Sequence, residues 1–188
     1  MTQLCTDHEL EDLMRSMQSD EADELQRADT LLALYPEDPR LHFLRGSILA
    51  SIGRPLEALP ALRKAVELAP DFSIARFQLG FFQLTSGEAA DALSTWGPLA
   101  LLPEAHYLRS FVAGLTHLIR DEFDAAIDQL RRGIATNEEN PPLDRDMQLI
   151  VDQVQALIAT EVTDPREGDA ASAASFLLGQ LSGQGRPH

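Results

Sequence analysis

Residues 77–80 read Phe-Gln-Leu-Gly, and the same outer pair stands in Phe-Leu-Arg-Gly at 43–46 and in Phe-Val-Ala-Gly at 111–114. Both steps between these copies are 34 residues long. Two further columns keep this step, namely Ala58, Ala92 and Ala126, and the large apolar residues Leu62, Trp96 and Leu130. A repeat of this length predicts stacked copies of one small unit, each too small to bury its apolar face alone.

Each copy reads as a helix, a tight turn and a second helix. In the first copy, from Pro39 to Pro70, leucine and isoleucine recur at helical spacing. The pattern breaks at residues 51–53 and resumes after Pro55. A proline suits the first turn of a helix because the N–H that it lacks would have no partner there. Pro70 predicts the end of the second helix.

The next two copies follow the same plan. The predicted helices span 73–85 and start again near 88 in the second copy, and they span 105–119 and 123–136 in the third. The sequence shows no sustained alternation of apolar and polar residues, which is the pattern typical of strands. We therefore expect an all-α fold.

Degenerate copies are predicted on both flanks. Helical stretches are predicted at 6–17, 20–34 and 142–160. We divide the chain into a degenerate N-terminal helix pair (1–36), three repeats (37–140), a C-terminal capping helix (141–162), and a linker and tail with a short helical candidate at 170–181 (163–188). Polar terminal units keep a stack of repeats soluble.

The three copies resemble the tetratricopeptide repeat family. Its pattern has a Leu-Gly pair in the first helix, alanine early in the second, a large apolar residue four positions later, and proline at the end. The matching residues are Gly46, Ala58, Leu62 and Pro70, then Gly80, Ala92 and Trp96, then Gly114, Ala126 and Leu130. The resemblance implies an α-solenoid of antiparallel helix pairs with capping helices, and it implies a protein partner.

The mid-helix glycines suggest close helix crossings. A glycine inside a helix costs about 1 kcal/mol relative to alanine. That cost is tolerated where two helices cross too closely for a Cβ, so we expect Gly46, Gly80 and Gly114 to lie at such crossings. Two residues depart from the family pattern. Pro98 should kink or end its helix, and Gly133 stands where the family has alanine.

The resemblance also implies a concave groove lined by the first helix of each repeat. The positions that would face it are Arg40, Phe43, Ser47, Ile74, Phe77, Phe81, Leu84, Leu108, Phe111, Leu115 and Leu118. They are mostly Phe and Leu, which suits an apolar or amphipathic segment. Family members that grip a terminal carboxylate carry Lys, Arg and Asn there, so we do not expect that mode.

An apolar groove of this size should be covered, because a soluble monomer rarely exposes more than a few hundred Å² of contiguous apolar surface. Three covers stay open: a partner protein, a second copy of the chain, and the chain's own tail. The tail carries Phe176, Leu177, Leu178 and Leu181 at a spacing that suits one helical face. Docking of the tail on the last helix as a cap is an equal alternative.

Composition narrows the partners further. The chain has 30 acidic and 15 basic residues among 188, and its net charge is −15. This acidity disfavours nucleic acid and anionic membrane as partners. The single cysteine, Cys5, forms no disulfide within the chain, which fits the cytoplasm. The polar, acidic segment 1–13 is unlike a secretory signal.

The sequence shows no catalytic or metal-binding motif. Its five histidines lack metal-ligand spacing, its serines lack a nucleophile-elbow context, and we expect neither cofactor nor metal. We therefore expect a non-enzymatic adaptor or scaffold that binds an apolar segment of a protein. The alternatives are a chaperone of apolar substrates, similar to the small acidic repeat chaperones of type III secretion, and a self-assembling structural subunit.

Overall fold

The computed structural model describes residues 4–17 and 23–163, with only the backbone described for 160–163. All regular structure in these two ranges is helical. The helices are α1 (Asp7–Ser16), α2 (Glu24–Leu34), α3 (Pro39–Ser51), α4 (Pro55–Leu68), α5 (Ser73–Thr85), α6 (Ala89–Trp96), α7 (Tyr107–Ile119), α8 (Phe123–Thr136) and α9 (Pro141–Thr163). A 3₁₀ segment, Gly97–Leu101, follows α6. The fold belongs to the all-α class of helical repeats.

The helix boundaries keep the period seen in the sequence. The helices α3, α5, α7 and α9 begin at residues 39, 73, 107 and 141, each 34 after the last. The second helices of the three repeats begin at 55, 89 and 123, again 34 apart. The helix α9 therefore takes the place of a first helix in a fourth repeat.

The turn inside each repeat is also the same. Two residues after the end of each first helix, the backbone has a positive φ angle. The angles are 72° at Gly53, 85° at Gly87 and 57° at Asp121. In the second repeat, Gly87 N–H donates to Leu84 O (3.0 Å) and Glu88 N–H donates to Gln83 O (2.8 Å). This pair of bonds satisfies carbonyls that the helix end leaves open, and it requires the left-handed conformation that glycine adopts most easily. The third repeat uses aspartate instead.

Proline positions explain two helix starts and one helix end, and one proline lies inside a helix. Pro39 and Pro55 occupy the first turns of α3 and α4, and this place was predicted for Pro55. The α-helix before Pro98 stops at Trp96 and tightens into the 3₁₀ segment, so the predicted break is confirmed. Pro60 lies inside α4 on an exposed position, and the sequence analysis did not single it out.

A few predicted boundaries were wrong. The helix α7 begins at Tyr107 rather than 105, because His106 serves as its N-cap through Nδ1, which accepts from Leu108 N–H at 3.2 Å. The helix α2 begins at Glu24, and α9 runs on through Thr163. The helical candidate at 170–181 lies outside the described residues.

Two compact units divide the chain between Leu79 and Gly80, inside α5. In the first unit, α1, α2 and α3 share one apolar core. Its buried members are Cys5, Leu10, Leu13, Ala28, Leu41, Leu44 and Ile48. In the second unit, α7 packs closely on α8, and α8 packs on α9. Fully buried side chains of this unit include Trp96, Phe111, Leu130 and Met147.

Candidate partner-binding surface

Each repeat glycine faces a large apolar side chain of the second helix in its own repeat. A Cβ on Gly46 would lie 2.8 Å from Leu62 Cγ, and one on Gly114 would lie 2.7 Å from Leu130 Cγ. A Cβ on Gly80 would lie 2.6 Å from Cδ1 of Trp96 and closer still to Nε1. Real Cβ atoms essentially never approach this closely, so the three crossings require glycine.

The small alanines of the second helices complete these crossings. Ala58, Ala92 and Ala126 are 0% exposed, and the large partners Leu62, Trp96 and Leu130 are at most 1% exposed. These nine glycine, alanine and large apolar positions therefore form the inside of the repeats. They hold the helix pairs together. Because they are buried, a partner would have to contact other residues.

Six of the eleven expected groove residues are in the core. Their side chains are at most 1% exposed, and they are Phe77, Leu84, Leu108, Phe111, Leu115 and Leu118. The expectation that they line an open groove is therefore corrected. A partner cannot contact them in this structure without displacing other side chains.

The third repeat shows why Phe111 turns inward. Its ring lies directly on Gly133 of α8, where a Cβ would overlap Cδ1 and Cε1 and lie 3.2 Å from Cγ. Tyr107 packs on the same ring edge-to-face at 5.7 Å between centroids. Burial, together with the nearby carboxylate of Glu139, raises the pKa of Tyr107 to about 12. The missing side chain at Gly133 creates the space that Phe111 fills.

Arg40 is also unavailable to a partner, because its guanidinium is bound within the first unit. Nη2 donates to Asp38 Oδ2 (2.7 Å) and to the Cys5 carbonyl (2.6 Å), and Nη1 donates to Asp7 Oδ1 (3.0 Å). These contacts tie the segment before α1 to the start of α3. The hydrogen bonds to Asp38 raise the pKa of Arg40, so it stays charged.

Asp38 is the centre of this clamp and is fully buried. It caps α3 by accepting from Arg40 N–H at 3.0 Å, and it accepts from Cys5 N–H at 2.9 Å. Burial alone would raise the pKa of Asp38, but the hydrogen bonds from Arg40 and Cys5 hold it below its ordinary value of 3.8. This role of Asp38 was not predicted from the sequence, although an aspartate directly before a helix-starting proline is a recognisable N-cap signal.

Four expected groove residues remain partly exposed: Phe43, Ser47, Ile74 and Phe81. In the first unit, Phe43 packs on the α1–α3 core with one side and meets Phe72 edge-to-face, with ring centroids 5.4 Å apart. Phe72, which immediately precedes α5, is also half-buried. We name this pair, with the neighbouring Ser47 on α3, the Phe43 patch.

The Phe43 patch offers apolar contact and little charge. The Ser47 hydroxyl is half-buried and donates to the carbonyl of Phe43 (3.0 Å). Lys64, the single lysine, lies on α4 and contacts Glu67 at 3.4 Å. Among the described residues, no group of three His, Cys, Asp or Glu side chains could hold a metal ion. The patch can therefore hold an apolar side chain.

The histidines have structural contacts. His42 Nε2 contacts Pro36 O at 2.8 Å, His106 caps α7, and His117 pairs with Glu122 across the turn of the third repeat.

None of the helices in the described ranges is long and apolar enough to cross a membrane.

Comparison with known proteins agrees with this geometry. The family model for the tetratricopeptide repeat matches residues 25–71 and again 52–106. These matches cover α2 to α6, and the third repeat continues the same 34-residue helix boundaries beyond them. No curated protein matches the chain. Repeats of this family generally mediate protein–protein interaction, and this chain is a tetratricopeptide repeat protein.

Proposed function

We propose that the protein is a non-enzymatic adaptor that binds an apolar or amphipathic segment of a partner protein. The observation that carries the proposal is the Phe43 patch. It places two half-buried aromatic rings, Phe43 and Phe72, on the first-helix side of the first repeat. The patch therefore offers a partner apolar surface on the first helix of the first repeat.

The chemistry of the patch favours a protein segment over other ligands. Aromatic side chains supply large contact areas and dominate the energetics of many interfaces. An amphipathic helix or an extended peptide could place one apolar side chain against the two rings. The net charge of −15 supports the same choice, because it disfavours nucleic acid and anionic lipid.

Binding rather than catalysis is supported by the way polar groups are used. The buried carboxylate of Asp38 is engaged by Arg40 and Cys5, and His106 is engaged as a helix cap. These groups serve the fold. We also place the protein in the cytoplasm, since its single cysteine, Cys5, is a buried thiol that stabilises the fold without a disulfide.

A position-specific crosslinking experiment tests the proposal. A photoreactive phenylalanine analogue is placed at Ser47, within the patch, or at Leu56, which is 89% exposed on α4. Irradiation in the native cells is followed by mass spectrometry. We expect a protein that crosslinks from position 47 and is missing, or much weaker, from position 56.

The outcome separates the narrower alternatives. Crosslinking to a second copy of the chain from position 47 would replace the adaptor proposal with self-assembly. Crosslinking to one exported protein with an apolar segment would favour a chaperone. The same products from both positions, or none from position 47, would contradict the proposal.

A further inference from the structure

The last helix exposes a face that the earlier repeats cover. The helix α9 has the register of a first helix, yet no second helix follows it among the described residues. In α7, Phe111 and Gly114 face α8. The equivalent residues of α9, 34 positions later, are Arg145 and Gln148, and both are exposed. The face that a second helix would cover is therefore open on α9.

This face has a mixed stripe, formed by Leu149, Gln153 and Ala156, beside a charged and polar rim of Asp144, Arg145, Gln148 and Asp152. Leu149 is 41% exposed, and Gln153 and Ala156 follow it at helical spacing. A cleft of about 480 Å³ lies between Ile134 of α8 and the Leu149 side of α9. On the rim, Gln148 Nε2 donates to Asp152 Oδ1 at 2.8 Å, so these two polar groups already satisfy each other.

Gln153 provides a second, independent observation. Its side-chain oxygen Oε1 is buried and accepts no hydrogen bond from any described residue. A buried acceptor without a donor loses its hydrogen bonds to water, so native structures rarely leave one unsatisfied. The stripe therefore lacks a neighbour that covers Leu149, and the Gln153 amide would have to turn outward to accept a hydrogen bond from that neighbour.

We propose that this neighbour is the chain's own segment 170–181, packed as a helix antiparallel to α9. The segment contains no charged residue, although 24% of the chain is charged. Read as a helix, it aligns Ala170, Ala174, Leu177 and Leu181 on one face. Two alanines at one end of that face allow close approach, as the alanines of the other second helices do. Gln180, at the edge of that face, supplies a donor.

The distances along the chain allow this arrangement. A 12-residue helix is about 18 Å long, and the same rise places residues 149 and 160 of α9 about 16 Å apart. Packed helices lie about 8–10 Å apart. The six residues 164–169 can span up to roughly 20 Å. The tail can therefore reverse direction after Thr163 and run back to Leu149. This proposal concerns the end of the stack and does not depend on where a partner binds.

The test is the accessibility of the α9 stripe in the full chain. A Leu149→Cys variant is labelled with a maleimide, and Ala156→Cys serves as a second reporter. Cys5 adds little background, because its thiol is buried and burial raises its pKa to about 11. The tail is then changed by Leu177→Asp with Leu181→Asp. The matched control, Ser172→Asp with Gly179→Asp, adds the same charge on the opposite side of the tail helix.

We expect the Leu177/Leu181 changes to speed labelling at position 149 about tenfold, which corresponds to a tail docked roughly nine-tenths of the time. The matched control should leave the rate unchanged, and Leu56→Cys on α4 should label at one rate in every background. Equal rates at position 149 with both tails would overturn the proposal. Protection that depends on protein concentration but not on the tail would assign the face to a second copy of the chain and would also overturn it.

Discussion

The ring of Phe111 lies on the backbone of Gly133, and the contact leaves no room for a Cβ at that glycine. The pair joins the two helices of the third repeat, α7 and α8. It explains two features together: glycine replaces the family's alanine at this position, and Phe111 is fully buried instead of facing a groove. A departure from the family pattern on one helix thus sets the orientation of a side chain on the other.

Gly133→Ala is expected to destabilise the protein by about 1–3 kcal/mol. Alanine is the better helix former, but overpacking against a rigid buried ring outweighs that gain. Urea denaturation measures the change. Gly97→Ala is the matched control, since a Cβ there meets nothing within 4 Å and Gly97 has negative φ. That control should cost less than Gly133→Ala, because its only penalty is the αR conformation before Pro98, which a Cβ disfavours. Equal effects of the two substitutions would contradict the packing described for Phe111.

Gly80→Ala is expected to disturb the single tryptophan of the chain. The indole of Trp96 occupies the space that the new methyl group needs, and it is 1% exposed in the native protein. We expect the fluorescence emission of Trp96 to shift to the red and to be quenched more easily by a solute. The free energy of unfolding should fall by about 1–3 kcal/mol. Gly46→Ala meets only the branched end of Leu62 and its amide, so Trp96 emission should not change. An unshifted Gly80→Ala spectrum at full folding would argue against the crossing.

The Asp38 clamp predicts a specific loss of stability in acid. Its folded-state pKa lies below the ordinary value of 3.8, so the carboxylate stabilises the fold above about pH 4. This contribution is lost as the pH falls below 4 through the folded-state pKa. Asp38→Asn should therefore cost about 1–3 kcal/mol at pH 7, because it removes the buried ionic partner of Arg40 and leaves only the exposed Asp7, and it should cost less at pH 3.

Urea denaturation at the two pH values gives this comparison, and the labelling of Cys5 by a thiol reagent gives a local readout. Because Cys5 N–H and C=O both bind within the clamp, Asp38→Asn should speed that labelling. The exposed Asp71→Asn is the control and should change stability by less than about 0.5 kcal/mol. A cost for Asp38→Asn that is equal or larger at pH 3 would contradict the assigned role.

Local signals made most of the fold predictable from the sequence. Pro39 and Pro55 mark helix starts, Gly53 and Gly87 mark the turns, and the 34-residue period transfers these marks from one repeat to the next. Pro98 predicted the end of its α-helix for the same local reason. Each of these features depends on residues that are close together in the chain.

The binding surface was less predictable, because burial depends on pairs that are distant in sequence. Phe43 and Phe111 occupy the same repeat position, yet Phe43 is half-buried and Phe111 is in the core. In the third repeat, Gly133, 22 residues after Phe111, makes room for that ring. In the second repeat, Phe77 is also buried, although Leu99 stands at the position equivalent to Gly133. Arg40 was expected in the groove, but Asp38 and the segment at Cys5 bind it instead. The repeat position of a residue predicts whether its side chain is exposed only when the residues that pack against it are also known.

The most direct test of the central claim is the affinity of the partner crosslinked from position 47 for two matched variants, Ser47→Arg and Leu56→Arg. Both add the same side chain to a helix of the first repeat, and circular dichroism verifies that both fold. If the Phe43 patch is the binding surface, Ser47→Arg should weaken Kd at least about tenfold, or about 1.4 kcal/mol, while Leu56→Arg stays within about twofold of wild type. Equal affinities for the two variants would contradict the claim.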